Sequence, residues 1–416
     1  MKAKRGSLVF FGCVIALGTM EAGVRVFDPQ PMLPYRPHPS LGWTLPAGAR
    51  YTVVEQESGR RITVRINSKG LRDVEHAYDK PAGIFRILVI GDSFTEGTLV
   101  ELDEAYPKQL ERRLRERGHQ VEVINAGVGG YGTDQELLFL MREGLRYHPD
   151  LVLLGFFAGN DVSDTAAKSI FRLERGSVVM RDQRPPGLRR RAVVAVKAVL
   201  QHLQSYLLIR RVTSSSASIR TILGRLGLLE ADDAERIRGD VARWGKPLPP
   251  QERLLLAPLP PDLQAGWELT AALLDQMRRV TDAAGSRLLI AAIPSGFQVE
   301  RPRFQRLLAA EKLSLSDVDR EAPTRMVVQW AAAHRVPAVD LLPALREAAG
   351  AGSRLYLQEG HWTRDGHAMG AALIAQAIAR EGWLALAQGS RLQAPGAVDL
   401  QPRASSLEPA RFRQVR

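Results

Sequence analysis

The chain has 416 residues, enough for one large domain or two ordinary ones, and with 45% hydrophobic and 25% charged residues it can bury a substantial core. The net charge of +12 comes without a helix-turn-helix, RNP or zinc-finger pattern, which argues against a nucleic-acid partner and leaves ordinary solvated surface, anionic lipid or acidic polysaccharide as its explanation. The single cysteine, Cys13, excludes an intramolecular disulfide and a cysteine-built zinc site.

Residues 1–5 (MKAKR) are basic and 6–20 are uncharged and mostly apolar, the pattern of an export signal or of an anchor with its basic end in the cytoplasm. The uncharged run falls short of the ~20 residues of a typical span, but Val24, Val26 and Phe27 extend it past Glu21 and Arg25, which stand at helical pairing distance. No convincing small-x-small cleavage site follows. Residues 1–27 therefore read as an uncleaved single-pass anchor in the cytoplasmic membrane, with the rest on the periplasmic or extracellular side. Secretion after signal cleavage is the alternative. Cys13, preceded by Phe-Phe-Gly, makes a poor lipobox and reads as membrane-buried.

Residues 28–84 read as a linker and a small β element. The stretch 29–39 is proline-rich and extended, whereas 51–54 and 61–66 read as two strands joined by a turn at 57–59. From residue 85 onward, strand and helix patterns alternate. Strands are expected at 85–90, 121–125, 151–157, 287–293 and 338–341. Helices are expected near 104–117, 134–147, 267–284, 325–334 and 365–380. That rhythm predicts a parallel sheet covered on both faces. It is interrupted at 163–261, where 193–211 and 217–229 look helical between proline-rich connections. The catalytic domain is thus expected as 85–162 and 262–386 around a helical insert over or beside the site, with a disordered tail at 387–416.

The most informative stretch is 86–97, RILVIGDSFTEG. A β-branched apolar run ends at Gly91, and Ser93 stands between it and the next helix, at the sheet edge where open α/β folds place their sites. Alone, the block reads as an ordinary Gly-Asp-Ser turn. Three further blocks follow in order: NAGVGGYGTDQ with Gly130, FFAGND with Asn160, and EGHWTRDGH with His361. Together they resemble the GDSL, or SGNH, hydrolase family, over about 85–381. The resemblance implies a three-layer α/β/α flavodoxin-like fold with a five-stranded parallel sheet, to which this chain adds the helical insert and the small N-terminal β element.

The resemblance also implies roles. Ser93 is the nucleophile, which needs a base within hydrogen-bond reach. His361 opens the last block and is that base, with His367 as the alternative; the other six histidines lie away from the four blocks. The family's usual Asp stands two or three residues before the histidine. Here Gln358 and Glu359 occupy those places, so Glu359 is the candidate acid, one methylene longer. Asp365 is the runner-up, better suited to a helix start, and a Ser-His dyad oriented by a backbone carbonyl is the fallback. The oxyanion hole would use the Ser93 and Gly130 N–H groups and the Asn160 amide, with Gly129 as the register alternative to Gly130. Asp92 holds the loop, and Ser295 is a competing serine without the surrounding signature.

No metal or organic cofactor is expected. The implied activity is that of a serine ester hydrolase acting through an acyl-enzyme on acyl or acetyl esters of carbohydrate or lipid. One alternative is O-acyl or O-acetyl transfer to an exported polysaccharide, because His361–Trp362 resembles the His-Trp of acetyltransferases of that family. The other is a non-catalytic binding or assembly module. The expected partners are an ester substrate and, through the N-terminal helix, the membrane.

Overall fold

The computed structural model describes residues 2–27, 35–168, 170–181, 203–206, 208–209, 248 and 250–384. The chain divides into two compact units, Met1–Pro34 with Gln183–Pro249, and Tyr35–Asp182 with Pro250–Arg416.

In the first unit the N-terminal stretch is one continuous helix, Lys2–Phe27. Ile15, Leu17, Val26 and Phe27 on it expose apolar side chains. Glu21 accepts hydrogen bonds from Arg25 Nε (2.8 Å), the Gln204 and Ser205 N–H groups (2.9 Å each) and Ser205 Oγ (2.7 Å). Among the described residues no helix is long and apolar enough to cross a membrane. The side chain of Cys13 lies outside the described residues, as do most of 182–249, including nearly all of the helices expected at 193–211 and 217–229, and the tail from 385.

The second unit starts with two hairpins. Arg36–His38 (β1) pairs antiparallel with Gly42–Thr44 (β2), and Arg50–Val54 (β3) with Arg61–Arg65 (β4). The first was read as part of an extended linker. It forms a hairpin because His38 Nδ1 accepts the Ser40 and Leu41 N–H groups, closing the turn. Leu41, Leu45, Val53, Ile62 and Val64 from this region are buried in the main core, so the β element packs on the α/β domain.

The central sheet contains Phe85–Gly91 (β5), Val121–Gly127 (β6), Leu151–Phe157 (β7), Arg287–Ile293 (β10) and Ala338–Asp340 (β11). Between β7 and β10 runs a small antiparallel hairpin, Phe171–Glu174 (β8) with Ser177–Met180 (β9). It follows the helix Asp161–Lys168 and lies in the first part of the insert, ahead of the stretches expected to be helical; Arg175 and Gly176 at its tip have positive φ and close the turn. The sheet is all-parallel in the order β11-β10-β7-β5-β6, the flavodoxin-like arrangement. Every residue of β5 and β7 is buried, as expected of strands covered on both sides.

Alternate residues point to opposite faces. Leu88, Ile90, Val152, Leu154 and Ile290 pack with Leu137, Leu273, Met277 and Trp330 from the helices Thr133–Arg142, Pro261–Ala283 and Ala322–Ala333. Ile87, Val89, Leu151, Leu153 and Ile293 pack with Leu110, Leu345 and Ile374 from the helices Tyr106–Glu116, Leu342–Gly350 and Arg364–Arg380. The helices Arg301–Glu311 and Leu342–Gly350 were not expected; each carries proline at its second position and is short, with only two buried side chains, which weakens the periodic signal.

Strand ends approach closely where the site forms. A Cβ on Gly127 would lie 2.2 Å from Glu96 N and 2.5 Å from Thr95 C, both backbone atoms that cannot swing aside. Gly127→Ala is therefore expected to destabilise the fold by about 1–3 kcal/mol or more. Equilibrium urea unfolding checks this: the midpoint should fall with the slope unchanged.

Candidate active site

β5, β6 and β7 are adjacent and parallel, with Gly91 level with both Gly127 and Gly155. The loops that follow them leave the same edge of the sheet, side by side. Ser93 follows β5, Gly130 follows β6 and Asn160 follows β7. This is the switch point of the strand order, where consecutive connections diverge to opposite sides.

Ser93 starts a single-turn helix, Ser93–Glu96, capped by Asp92, whose side chain accepts the Phe94 N–H at 2.9 Å. Asp92 thus shapes the loop, as expected of it, and its Oδ2 is 3.5 Å from Ser93 Oγ. Burial pushes the Asp92 carboxyl up to about 7, opposed by the Phe94 N–H and the charge of His361. Glu136 is raised well above the carboxylate range by burial first and then by the charge of Asp92, and Asp161 by burial and then by the charges of Glu136 and Asp92.

His361 reaches Ser93 from the far end of the chain. Its Nε2 is 2.7 Å from Ser93 Oγ and its Nδ1 is 2.5 Å from Glu359 Oε2. The segment turns tightly here: Leu357 N–H donates to His361 O (2.8 Å), and Gly360 sits at φ +114°, a conformation that favours glycine. Glu359 also accepts the His361 backbone N–H through Oε1 at 3.0 Å. One carboxylate therefore grips the residue twice, which removes much of the rotamer freedom that its extra methylene brings.

The ring itself packs on Phe94 at a centroid distance of 5.3 Å. Beneath it, the fully buried Trp362 meets Phe94 edge-on at 5.2 Å. Burial disfavours a charged imidazole, but the hydrogen bond and charge of Glu359, joined by the charges of Asp92 and Glu96, outweigh it and raise the His361 pKa. Burial likewise disfavours the Glu359 charge, yet His361 and then Arg303 hold its carboxyl below the usual range. With Glu359 ionised, Nδ1–H donates to it and the lone pair at Nε2 accepts from Ser93 Oγ–H.

The competing residues sit elsewhere in the chemistry. His367 is buried and its Nδ1 accepts the Tyr106 N–H at 3.3 Å; burial pushes its pKa down to about 3, so it stays neutral. Asp365 lies in the first turn of the closing helix, which Thr363 caps. The Gln358 N–H donates to Glu57. Ser295 forms a capping box with Gln298 at the next strand end.

Of the two register alternatives in the glycine loop, Gly129 gives its N–H to Glu96 Oε2 at 2.7 Å. Gly130, at φ +73°, gives its N–H to no acceptor among the described residues. Asn160 is held through its backbone, its carbonyl accepting Asp164 N–H (2.7 Å) and Ser163 Oγ–H (2.9 Å), and its buried Oδ1 has no hydrogen-bond partner among the described residues. Glu96, Tyr35 and Trp43, which support this loop, were missed. Glu96 stands in the same block as Ser93, but its partner Tyr35 comes from the stretch read as extended linker, and Trp43 lies a few residues beyond that stretch. Among the described residues no group of three or more His, Cys, Asp or Glu is arranged to hold a metal ion.

The order of this parallel sheet, with a serine, a histidine and a carboxylate in contact at its carboxyl edge, defines a flavodoxin-like three-layer α/β protein with a candidate hydrolytic site. The chain belongs to the GDSL-like lipase/acylhydrolase family, whose model matches residues 89–369. It is 32% identical over 85 residues to an arylesterase from Vibrio mimicus, a match covering 20% of this chain and 42% of that protein, so it spans less than half the length of this curated relative. Solved structures similar to it include TesA (14% identity, TM-score 0.36, covering 70% of this chain and 97% of that one). Another is the acetyl xylan esterase AlAXEase (12% identity, TM-score 0.37, covering 70% and 99%).

Proposed function

We propose that this protein is a serine ester hydrolase that cleaves acyl or acetyl esters of carbohydrate or lipid through an acyl-enzyme. The contact line Ser93 Oγ, His361 Nε2 and Nδ1, and Glu359 Oε2, at 2.7 and 2.5 Å, carries the reading. Ser93 attacks the ester carbonyl while His361 takes its proton, and Glu359 stabilises the resulting imidazolium. The N–H groups of Ser93 and Gly130 and the Asn160 amide stabilise the oxyanion. His361 returns its proton to the departing alcohol. It then activates a water that releases the carboxylic acid and restores Ser93.

Trp362 supports hydrolysis over transfer: its ring is wedged against Phe94 and Tyr106 in the core, so packing accounts for the His-Trp pair without an acceptor sugar. The exposed apolar side chains of Lys2–Phe27 and its basic start support attachment to the cytoplasmic membrane through this helix.

A fluorophosphonate probe should label wild-type protein at Ser93, and p-nitrophenyl esters of graded acyl length should be hydrolysed with a preference that reports the acyl pocket. An unlabelled Ser93 together with no turnover across the series would leave the non-catalytic module as the reading.

A further inference from the structure

The Gly129–Gly130 peptide is held on one side by Trp43, which lies outside the four blocks, and on the other by Glu96 of the first block. Its carbonyl, Gly129 O, accepts the indole N–H of Trp43 at 3.0 Å. The preceding N–H, on Gly129, donates to Glu96 Oε2 at 2.7 Å, and Glu96 in turn accepts Tyr35 O–H at 3.1 Å. Trp43 is itself fixed: it pairs with Pro37 across β1 and β2, its carbonyl accepts Tyr131 O–H at 2.7 Å, and its ring meets the Tyr131 ring edge-on at 6.0 Å.

A peptide unit is planar and trans, so its C=O and the following N–H point in opposite directions. Fixing Gly129 O therefore fixes the direction of Gly130 N–H. At Gly130 the φ of +73° leaves the backbone free to rotate in ways that other residues resist, so an external hold matters. A donor on the carbonyl also polarises the peptide and strengthens its N–H as a donor.

We propose that Trp43 is a positioning residue for the oxyanion hole: its indole N–H, delivered by the N-terminal hairpin, sets the orientation and donor strength of Gly130 N–H. Glu96, braced by Tyr35, holds the preceding N–H so that the loop presents Gly130 and not Gly129. The inference rests on the esterase reading for its catalytic consequence. The geometry of the peptide itself does not depend on that reading.

The test removes the indole donor in two ways, by Trp43→Phe and by replacing Trp43 with benzothienylalanine, in which sulfur takes the place of the N–H at nearly constant shape. Full loss of an oxyanion donor costs about 10²–10³ in kcat, so misorientation of one should cost roughly 10-fold or more. In p-nitrophenyl ester assays kcat should fall with KM unchanged, and the rate of fluorophosphonate labelling should fall in parallel. In glycine-labelled protein the amide nitrogen resonance of Gly130 should move in both variants. Should Trp43→Phe unfold, the isostere alone decides. Retention of kcat within about twofold, or an unmoved Gly130 resonance, overturns the proposal. Absence of wild-type turnover and labelling would instead sink the esterase reading, and the Gly130 resonance would still judge the role of Trp43.

Discussion

Ser93→Ala and His361→Ala should each lower kcat on a p-nitrophenyl ester by about 10⁴-fold or more, and the double variant should be scarcely worse than either alone. The reason is that the two side chains act as one unit. Without Oγ there is no nucleophile for the ring to activate, and without Nε2, at 2.7 Å, the hydroxyl keeps its proton at neutral pH. Residual turnover would come from the oxyanion donors and from binding alone. Thermal stability should change little, since Ser93 and His361 are both only partly buried and neither fills the core. Additive losses in the double variant would mean that the contact is structural and that the reaction uses another nucleophile.

Glu359→Gln should lower kcat by about 10²–10⁴-fold, the range expected when an orienting carboxylate becomes an amide. An amide can still meet His361 N–H through its oxygen, but it no longer selects the Nδ1–H tautomer nor stabilises the imidazolium. The pH profile supplies a second reading. His361 must be neutral to accept the Ser93 proton, and its pKa lies above the ordinary imidazole value, so wild-type kcat/KM should rise with pH through a midpoint above about 6.5. Removing the Glu359 charge leaves burial as the dominant influence, which lowers the pKa. The acid limb of the variant should therefore move to lower pH even as its plateau falls. A variant with full activity and an unmoved limb would show that Glu359 does not orient the ring, and the Ser-His dyad would take its place.

Some of this architecture is legible in the chain because it is local. β7 is an unbroken apolar run and β5 carries one from Ile87 to Ile90, which is how a doubly covered parallel strand reads, and the turn residues Gly91 and Gly127 mark the ends of β5 and β6. The four blocks sit directly on those ends, so finding the strands also finds the places where Ser93, Gly130 and Asn160 emerge. His361 could be preferred to His367 on its place at the opening of the last block, ahead of the closing helix.

Other features depend on contacts between distant segments. His361 and Ser93 are 268 positions apart, and only the crossover order of the sheet brings them within 2.7 Å. The double grip of Glu359 on His361 depends on the turn around Gly360, since sequence spacing says only that the carboxylate can reach. The hairpin β1–β2 looked like linker because a three-residue strand carrying proline has almost no periodic signal. Its stability comes from Leu41 and Leu45 entering the core of the α/β domain, from Trp43 N–H donating to the glycine loop, and from Tyr131 of that loop donating back to the Trp43 carbonyl. Residue type along the chain thus determined the strands, their ends and the serine and histidine of the site, because those follow from local pattern and turn chemistry. Which of the two glycines keeps an N–H without an acceptor among the described residues was decided only by the tertiary fold, because the acceptor for Gly129 N–H and the donor to its carbonyl come from segments 33 and 86 residues away.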